Sequence, residues 1–413
     1  MKISLLLQRE PFQRIFEATM ERHLSATTGI AHCVKWQNNV GWLTRISVNN
    51  TNCWFCNPHI NAIFVNGANR NVFDQSWKNY GGGSASIWRS AKRAYIAAAT
   101  FTYTQSMFAP YRLTIQPAID SAANIIITGG NTRLRIFDIN RREATTILKE
   151  GFAPSLVSSD LGVRQANPWL PAPQVLRILE CGKAYVEPIL EGDFVETIND
   201  FSARNRAFAE AIRICNQLTV GTASQFVLAD YLRGILSHVA ESSYRLLNHA
   251  QDTSHRISKW LSVLNASSLI DRVPEQLMVE VGQTHGDLQP GNILVDLGAI
   301  TIIDWERTTH RMYGFDSLTL ALSSRRNQSG LVTRAIMLAD GQFADHSYFE
   351  SARQALRGSG LAGEVEGRLL LYLAEELKFH LDENTFGPIK IPTIGLSRLL
   401  DELESWLSRT TNK

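Results

Sequence analysis

The amino-acid sequence predicts an α+β protein with a small, mostly antiparallel sheet, a larger helical region and an additional N-terminal α/β region. Three observations support this fold class. Short β-rich runs alternate with turn residues between residues 121 and 192. From residue 193 to residue 413, apolar residues recur with helical spacing. Residues 285–306 interrupt the helices with one isolated pair of predicted strands.

The length and composition of the chain are those of a globular protein with substantial cores. Its 413 residues allow one large domain or two to three ordinary ones, and 44% are hydrophobic against 19% charged. A formal net charge of +2 gives no electrostatic reason to expect nucleic acid as a partner. The five cysteines are an odd number in a long chain, which argues against a disulfide framework.

The N-terminal apolar run is too short for a targeting or membrane segment. It extends from Ile3 to Leu7 and stops at Gln8, whereas a membrane span needs about 20 apolar residues. We therefore expect a cytoplasmic protein without membrane insertion. The sequence leaves the oligomeric state open.

Residues 1–120 are predicted to form an accessory region of unknown role. The stretch "PFQRIFEATMERHL" has the spacing of an amphipathic helix, and short strands such as "GWLTRISV" and "NAIFVNG" follow it. The stretch "GGGSASIWRS" lacks the Gly-Lys-Ser/Thr of a phosphate loop and is predicted to be a flexible turn. Cys53, Cys56 and His59 could contribute to a zinc site, but thiols in a strand-rich region are the favoured interpretation.

Residues 121–192 are predicted to form a small, mostly antiparallel sheet with one inserted helix. The strands "ANIIIT", "TRLRIFDI" and "ATTILKE" are separated by the turns "GGN" and "NRRE". A helix is expected at residues 154–167. The stretch "PQVLRILECGKAYVEPIL" then predicts two further strands hinged at Cys181-Gly182.

Residues 193–413 are predicted to be helical apart from "NILVDL" and "AITIID". Helical stripes support this prediction, and they are expected to face a core. Their apolar positions are Phe208, Ala211, Ile212, Cys215 and Leu218 in one segment, and Leu399, Leu400, Leu403, Trp406 and Leu407 near the C-terminus.

The stretch "HGDLQPGNILVDLGAITIIDWE", residues 285–306, is the strongest functional signal in the chain. A hairpin of its two strands would bring Asn292 beside Asp304, with Asp287 on the same rim. Amide and carboxylate oxygens suit Mg²⁺, which takes one or two carboxylates plus substrate phosphates. A further carboxylate can accept the proton of an attacking hydroxyl. Phosphoryl transfer requires this set of groups.

This stretch resembles the signature of the aminoglycoside phosphotransferase and choline kinase group, small-molecule relatives of protein kinases. The resemblance covers about residues 121–413 and implies a bilobal, protein-kinase-like fold that uses ATP and Mg²⁺. It implies that Asp287 is the catalytic base, that Asn292 and Asp304 hold magnesium, and that His285 braces the loop. Asp316 matches the Asp that steadies this loop, and it could also be a helix N-cap.

Some implied roles keep alternatives. Glu306 could reach a second metal or the substrate, or it could face solvent. Lys149, at the end of the third strand, would pair with the α- and β-phosphates. Asp160 is the implied acidic partner of Lys149, although the family usually has Glu there. Glu150 is an alternative partner, but a continuing strand would point it to the opposite face.

The remaining parts of the implied ATP site lie in the sheet. Gly129 and Gly130, in the turn "TGGN", take the position of the phosphate-covering loop without forming a G-x-G-x-x-G motif. The segment "VEPILEG", which contains Glu187, would connect the lobes and offer its backbone to the adenine. All the residues implied to handle phosphate come after residue 120, so we expect that residues 1–120 are not needed to form the ATP site.

The sequence therefore predicts a kinase that phosphorylates a hydroxyl of a small molecule: a sugar, amino sugar or amino alcohol, with glycan- or lipid-linked sugars as alternatives. The rival prediction is a catalytically silent kinase fold that serves as a binding or scaffold module. The irregular glycine turn and the absent Glu support that rival. No Ala-Pro-Glu segment follows Asp304, so protein kinase activity is not expected.

Overall fold

The structure is a computed structural model of the 413-residue chain. The residues it describes are 2–38, 53–73, 86–101, 104–248, 250–267, 269–324, 330–342, 347–358, 363–385, 387–389 and 391–411. The predicted strand "GWLTRISV", at residues 41–48, lies outside the described residues. So do residues 81–85 of the stretch "GGGSASIWRS", whereas residues 86–90 of that stretch are helical and the prediction of a turn is wrong there.

The chain forms two compact units. The first contains Met1–Ser158 and Ala172–Thr197, and the second contains Ser159–Pro171 and Ile198–Lys413. The first is built around an antiparallel sheet and the second is mostly helical. This division confirms the predicted α+β fold class.

The first unit contains five helices, one of them ending in the second unit, and ten strands among the described residues. The helices are α1 (Ile3–Arg9), α2 (Phe12–Thr28), α3 (Ser86–Thr100), α4 (Gln105–Phe108) and α5 (Ser155–Ala166). The strands are β1 (Cys33–Asn38), β2 (Cys53–Asn57), β3 (Ala62–Val65), β4 (Tyr111–Gln116), β5 (Ile125–Gly129), β6 (Arg133–Asp138), β7 (Glu143–Leu148), β8 (Arg177–Leu179), β9 (Ala184–Pro188) and β10 (Asp193–Phe194).

One sheet contains strands from both of the predicted regions, residues 1–120 and residues 121–192. Its nine strands have the order β1-β4-β2-β3-β5-β6-β7-β9-β8. Strand β3 pairs with β5, with Ile63 opposite Ile127 and Phe64 opposite Ile126. The predicted boundary at residue 120 therefore does not separate two compact units. The boundary was wrongly placed because strands far apart in the sequence pair with each other, and no local sequence pattern predicts such a pairing.

The predicted helix α2 packs on this sheet through its apolar stripe. Phe12, Phe16, Met20 and Leu24 are buried in one core cluster with the sheet residues Ile127 and Leu134. Gly29, in the left-handed conformation with a φ of 72°, ends the helix and accounts for the glycine there. Residues from both sides of the predicted boundary thus share one core.

Cys53 and Cys56 lie on β2 as free thiols, the first half-buried and the second buried. Burial raises the pKa of the Cys56 thiol well above its usual value. Among the described residues, no group of three or more His, Cys, Asp or Glu side chains is arranged to hold a metal ion. The zinc alternative therefore receives no support from the structure.

The second unit contains eight helices that follow α5, and five strands among the described residues. The helices are α6 (Phe201–Gly221), α7 (Leu228–Arg245), α8 (Gln251–Ala266), α9 (Phe315–Ala321), α10 (Leu331–Ala339), α11 (Ser347–Arg357), α12 (Glu364–Thr385) and α13 (Ile394–Thr411). The strands are β11 (Ser224–Val227), β12 (Met278–Thr284), β13 (Ile293–Asp296), β14 (Ala299–Ile302) and β15 (Thr309–Met312).

The predicted helical stripes are confirmed as core. The five apolar residues predicted on α6 are buried, and so are the five on α13. None of the described helices is long and apolar enough to cross a membrane.

The prediction missed a small sheet in the second unit. Strands β11, β12 and β15 pair in the order β11-β12-β15, whereas only "NILVDL" and "AITIID" were predicted as strands there. Strands β11 and β15 have four residues each, too short for a clear alternating pattern. Strand β12 ends at Thr284 and therefore leads directly into the polar stretch that begins at His285.

Gly282 on β12 is required because a helix carbonyl lies against it. A Cβ added there would overlap the carbonyl oxygen of Thr219 on α6. We expect Gly282→Ala to lower the free energy of unfolding by about 1–3 kcal/mol, since a packed backbone would have to move. Urea unfolding measures this change.

Gly234→Ala is the matched control for that substitution. Gly234 lies inside α7, is exposed, and would place its Cβ in open space. This substitution should raise stability by about 0.5–1 kcal/mol, because glycine is a poor helix former. Equal effects of the two substitutions would contradict the close approach of α6 to β12.

Candidate active site

A buried carboxylate holds the turn that leads to Asp287. The Asp316 oxygens accept the backbone N–H groups of His285, at 2.7 Å, and Gly286, at 2.8 Å. Helix α9 begins at Phe315 with Gly314 as its N-cap, so the N-cap interpretation of Asp316 is wrong. Because Asp316 is only 2% exposed, both amides depend on it rather than on water.

His285 is completely buried, and its hydrogen bonds define its tautomer. Nδ1 accepts the Asp287 backbone N–H at 3.2 Å, so Nε2 carries the proton that is donated to the Ile303 carbonyl at 2.9 Å. The ring of Trp305 packs edge-on against the imidazole, with the centroids 4.6 Å apart. His285 thereby ties the Asp287 turn to the end of β14.

Asn292 is buried and connects to Asp287 at two atoms. Its Nδ2 donates to the Asp287 carbonyl at 2.8 Å and approaches the Asp287 Oδ2 at 3.4 Å. Gln289 Nε2 also donates to Oδ2, at 3.2 Å. Since Nδ2 is turned towards Asp287, the Oδ1 of Asn292 is the atom that remains for a ligand.

The predicted hairpin is confirmed, and its register brings Asn292 and Asp304 to the same end. Ile293 lies opposite Ile302, and the Ile303 N–H donates to the Asn292 carbonyl at 3.0 Å. Asp304 has a left-handed conformation with a φ of 64°, which Asp tolerates better than most residues. The four-residue pairing of β13 with β14 therefore determines the positions of both Asn292 and Asp304.

Arg311 also stabilises this turn through hydrogen bonds. Its guanidinium donates to Thr284 Oγ1 at 3.0 Å and to the Arg307 carbonyl at 3.1 Å. Gly286 has a φ of 84°, and a Cβ there would overlap both the Arg307 carbonyl oxygen and the Arg311 guanidinium. Glycine is therefore required at the second position of "HGD", because a Cβ has no room there and because the backbone is left-handed. The prediction did not identify Arg311.

Next to this support lies a buried carboxyl group that was also not predicted. Glu375 on α12 accepts the Tyr231 hydroxyl and the Met312 N–H, both at 3.0 Å. Burial raises the pKa of Glu375 to about 7, against the smaller lowering effect of the Arg311 charge. Within the described part of the chain its Oε2 has no hydrogen-bond partner.

This pKa predicts a pH dependence of stability. A carboxyl group with a raised pKa binds its proton more tightly when folded, so stability falls as the pH rises from the ordinary value of 4.5 to about 7 and is level above. Glu375→Gln imitates the protonated group. The variant should match the native protein near pH 5 and exceed it by up to about 3 kcal/mol at pH 8. Urea unfolding across this range measures the difference, and a constant difference would contradict the assignment.

In the first unit, Lys149 is paired with an acid that the sequence did not suggest. Its Nζ donates to Glu10 Oε1 at 2.5 Å, and the two side chains are 0% and 2% exposed. The ring of Phe152 lies 4.6 Å from Nζ. Burial raises the pKa of Glu10, while Lys149 and Arg9 lower it. Glu10 lies 139 residues before Lys149, so no local spacing could have indicated this pair.

The acids predicted as partners of Lys149 have other contacts. Asp160 is 1% exposed and forms an ion pair with Arg164 one helical turn later, at 2.9 Å. Glu150 forms an ion pair with Arg22 of α2. The pairing of Asp160 with Lys149 stays a prediction, and Glu10 is an acid that the structure shows in contact with the lysine.

The turn predicted to cover the phosphates has its amides occupied. The Gly129 N–H donates to Asn61 Oδ1 at 3.3 Å, and the Gly130 N–H donates to the Arg133 carbonyl at 2.9 Å. A Cβ at Gly129 would come within 2.9 Å of Ile3 and Leu6 on α1. Packing thus accounts for Gly129, and the geometry does not support either amide as a phosphate donor.

Glu187 lies near the end of β9, where it is half-buried and opposite Ala144 of β7. Strand β8 pairs with β9 only at Ala184–Val186, so Glu187 lies beyond that register. Glu306 is half-buried as well. The predicted roles of these two residues stay predictions.

The sequence profile of the phosphotransferase enzyme family, APH, matches residues 164–353. The match includes the hairpin with Asp287, Asn292 and Asp304, and it begins after Lys149. It confirms the resemblance to the aminoglycoside phosphotransferase and choline kinase group. The antiparallel sheet of the first unit and the helical second unit make the fold α+β.

Solved structures of such proteins resemble the chain at low identity. A choline/ethanolamine kinase family protein from Mesorhizobium loti is 15% identical with a TM-score of 0.42, covering 78% of this chain and 98% of its own. A thermostable mutant of aminoglycoside phosphotransferase APH(4)-Ia, in a ternary complex with AMP-PNP and hygromycin B, is 14% identical with a TM-score of 0.45, covering 71% of this chain and 95% of its own. A glucosamine kinase is 13% identical with a TM-score of 0.36, covering 71% and 79%. No curated protein matches the chain in sequence.

Proposed function

We propose that the protein is an ATP- and Mg²⁺-dependent phosphotransferase that phosphorylates a hydroxyl group of a small molecule. The family match supports a phosphotransferase. The observation that carries the proposal is the geometry around Asp287. One buried carboxylate, Asp316, and one buried imidazole, His285, fix the backbone on both sides of the turn, while Asn292 and the hairpin bring Asp304 to the same rim.

The donor set of this rim fits magnesium. Asn292 Oδ1 is directed away from Asp287 because Nδ2 makes that contact, and Asp304 lies two residues after the end of β14. One amide oxygen and one carboxylate are hard ligands that suit a cation whose remaining positions go to water and substrate phosphates. A bound Mg²⁺ would neutralise phosphate charge during the transfer.

Asp287 is proposed to orient the acceptor hydroxyl and to take its proton. Its Oδ2 is held by Gln289 and lies within 3.4 Å of Asn292 Nδ2, so the carboxylate has a defined direction. Asp287 is only half-buried, which leaves it accessible to a substrate. A carboxylate that is fixed but accessible can position a nucleophile for phosphoryl transfer.

The proposed acceptor is a sugar, an amino sugar or an amino alcohol, with a glycan- or lipid-linked sugar as an alternative. ATP turnover against a panel of sugars, aminoglycosides and amino alcohols tests the proposal. Phosphorylation of a hydroxyl in any of these classes supports it. If no compound is phosphorylated while ATP binds, a catalytically silent binding or scaffold module is favoured, and the occupied amides of Gly129 and Gly130 would agree with that role.

We expect ATP to bind weakly without a divalent metal ion. Without Mg²⁺ the Asp304 carboxylate would face the triphosphate as one anion against another. The affinity should fall about tenfold or more, which corresponds to about 1.4 kcal/mol. Calorimetric titration with Mg²⁺ and with EDTA measures this difference. Equal affinities would remove the metal role of Asn292 and Asp304.

A further inference from the structure

Leu148, the last residue of β7, and the two residues after it are held by α2 and by the turn between α1 and α2. The Leu148 carbonyl accepts the Arg22 guanidinium at 2.7 Å, and the Glu150 N–H donates to Thr19 Oγ1 at 2.9 Å. Between them, Lys149 Nζ donates to Glu10 Oε1 at 2.5 Å. Backbone and side chain of this strand end are therefore fixed by residues from the start of the chain.

The position of Glu10 is itself fixed by the turn between α1 and α2. The Glu10 N–H donates to the Leu6 carbonyl at 3.0 Å, and the Glu10 carbonyl accepts the Phe12 N–H at 2.7 Å. Phe12 is buried and its ring lies 5.7 Å from the Lys149 ammonium. A buried carboxylate on a rigid turn can hold a lysine in one direction, because separating the two side chains would break a charge-assisted hydrogen bond in the core.

We infer that Glu10 is the positioning residue that holds Lys149 in place for the phosphates of the nucleotide, so that the segment formed by residues 2–28 is part of the nucleotide site. The inference rests on the proposed function. It assigns a role to part of the region whose role the sequence left open. It also replaces the expectation that residues 1–120 are dispensable for nucleotide binding.

The test compares the affinities of the full-length chain for Mg²⁺–ATP and for adenosine, measured by calorimetry. Adenosine lacks phosphates, so the ratio of the two affinities reports on phosphate contacts alone. Glu10→Gln should lower this ratio about tenfold, the scale of one hydrogen bond to a charged group, and should leave adenosine binding unchanged. Lys149→Met should lower the ratio at least as much, and the double substitution should add little to it.

Glu180→Gln is the matched control. Glu180 is also a buried carboxylate, and it ties the same helix to the sheet through His23 and Arg22, the latter at 2.8 Å. It is expected to lower stability without changing the affinity ratio. Equal loss of the ratio in both variants, or no loss in Glu10→Gln, would overturn the positioning role.

The outcomes separate this inference from the proposed function. If the native protein does not prefer ATP to adenosine, or if Lys149→Met leaves the preference unchanged, the proposed nucleotide site fails and the inference fails with it. If Lys149→Met removes the preference and Glu10→Gln does not, only the inference fails. Should Glu10→Gln not fold, Glu10→Asp keeps the charge with a shorter reach. A lowered ratio in that variant supports the inference, and an unchanged ratio overturns it.

Discussion

Asp287→Asn is expected to lower phosphoryl transfer by about 10²-fold or more, the usual scale for removing a positioned acid or base. The amide keeps the shape of the side chain and can still contact Gln289, but it cannot take the proton of the acceptor hydroxyl. Binding of Mg²⁺–ATP should hardly change, because Asp287 is not one of the proposed metal ligands. Steady-state rates and calorimetric titrations, with the acceptor found in the screen, measure the two effects.

Two further substitutions serve as comparisons for Asp287→Asn. Asp304→Asn should weaken Mg²⁺–ATP binding as well as turnover, since Asp304 is proposed as a metal ligand. Asp296→Asn changes an exposed carboxylate at the other end of the same hairpin and should change neither. A native rate for Asp287→Asn beside a damaged Asp304→Asn would show that the base is another residue.

Asp316→Ala is expected to lower the free energy of unfolding by roughly 3–5 kcal/mol. It would leave the buried N–H groups of His285 and Gly286 without an acceptor, and each such group costs about 1–3 kcal/mol. Turnover should fall in addition, because the same two bonds hold the turn that leads to Asp287. Urea unfolding gives the stability, and rate measurements well below the unfolding midpoint give the turnover.

Asp200→Ala is the control that isolates burial. Asp200 caps α6 and also accepts two backbone N–H groups, from Ser202 at 2.8 Å and Ala203 at 3.2 Å, but it is exposed. Water can replace this cap, so the loss should be about 1 kcal/mol. Similar losses in the two variants would show that the Asp316 bonds are no stronger than a surface cap.

The sequence by itself determined the features that depend on neighbouring residues. The stripe on α2, the strands β5, β6 and β7, and the hairpin of residues 285–306 all follow from local periodicity, and the structure confirms them. The adjacency of Asn292 and Asp304 also followed, because the register of a short hairpin is set by its turn. The exposed Leu297 and Gly298, with φ values of 47° and 88°, form that turn.

Only the tertiary structure decided which distant residues meet. The pairing of β3 with β5 merged the predicted accessory region into the sheet. The packing of α1 and α2 against the same sheet brought Glu10 to Lys149. Likewise, Arg311 reaches the "HGD" turn only because β15 pairs with β12. Such contacts join residues far apart in sequence, and they are selected by the packing of whole elements. The spacing and periodicity of residues within one segment therefore do not predict these contacts.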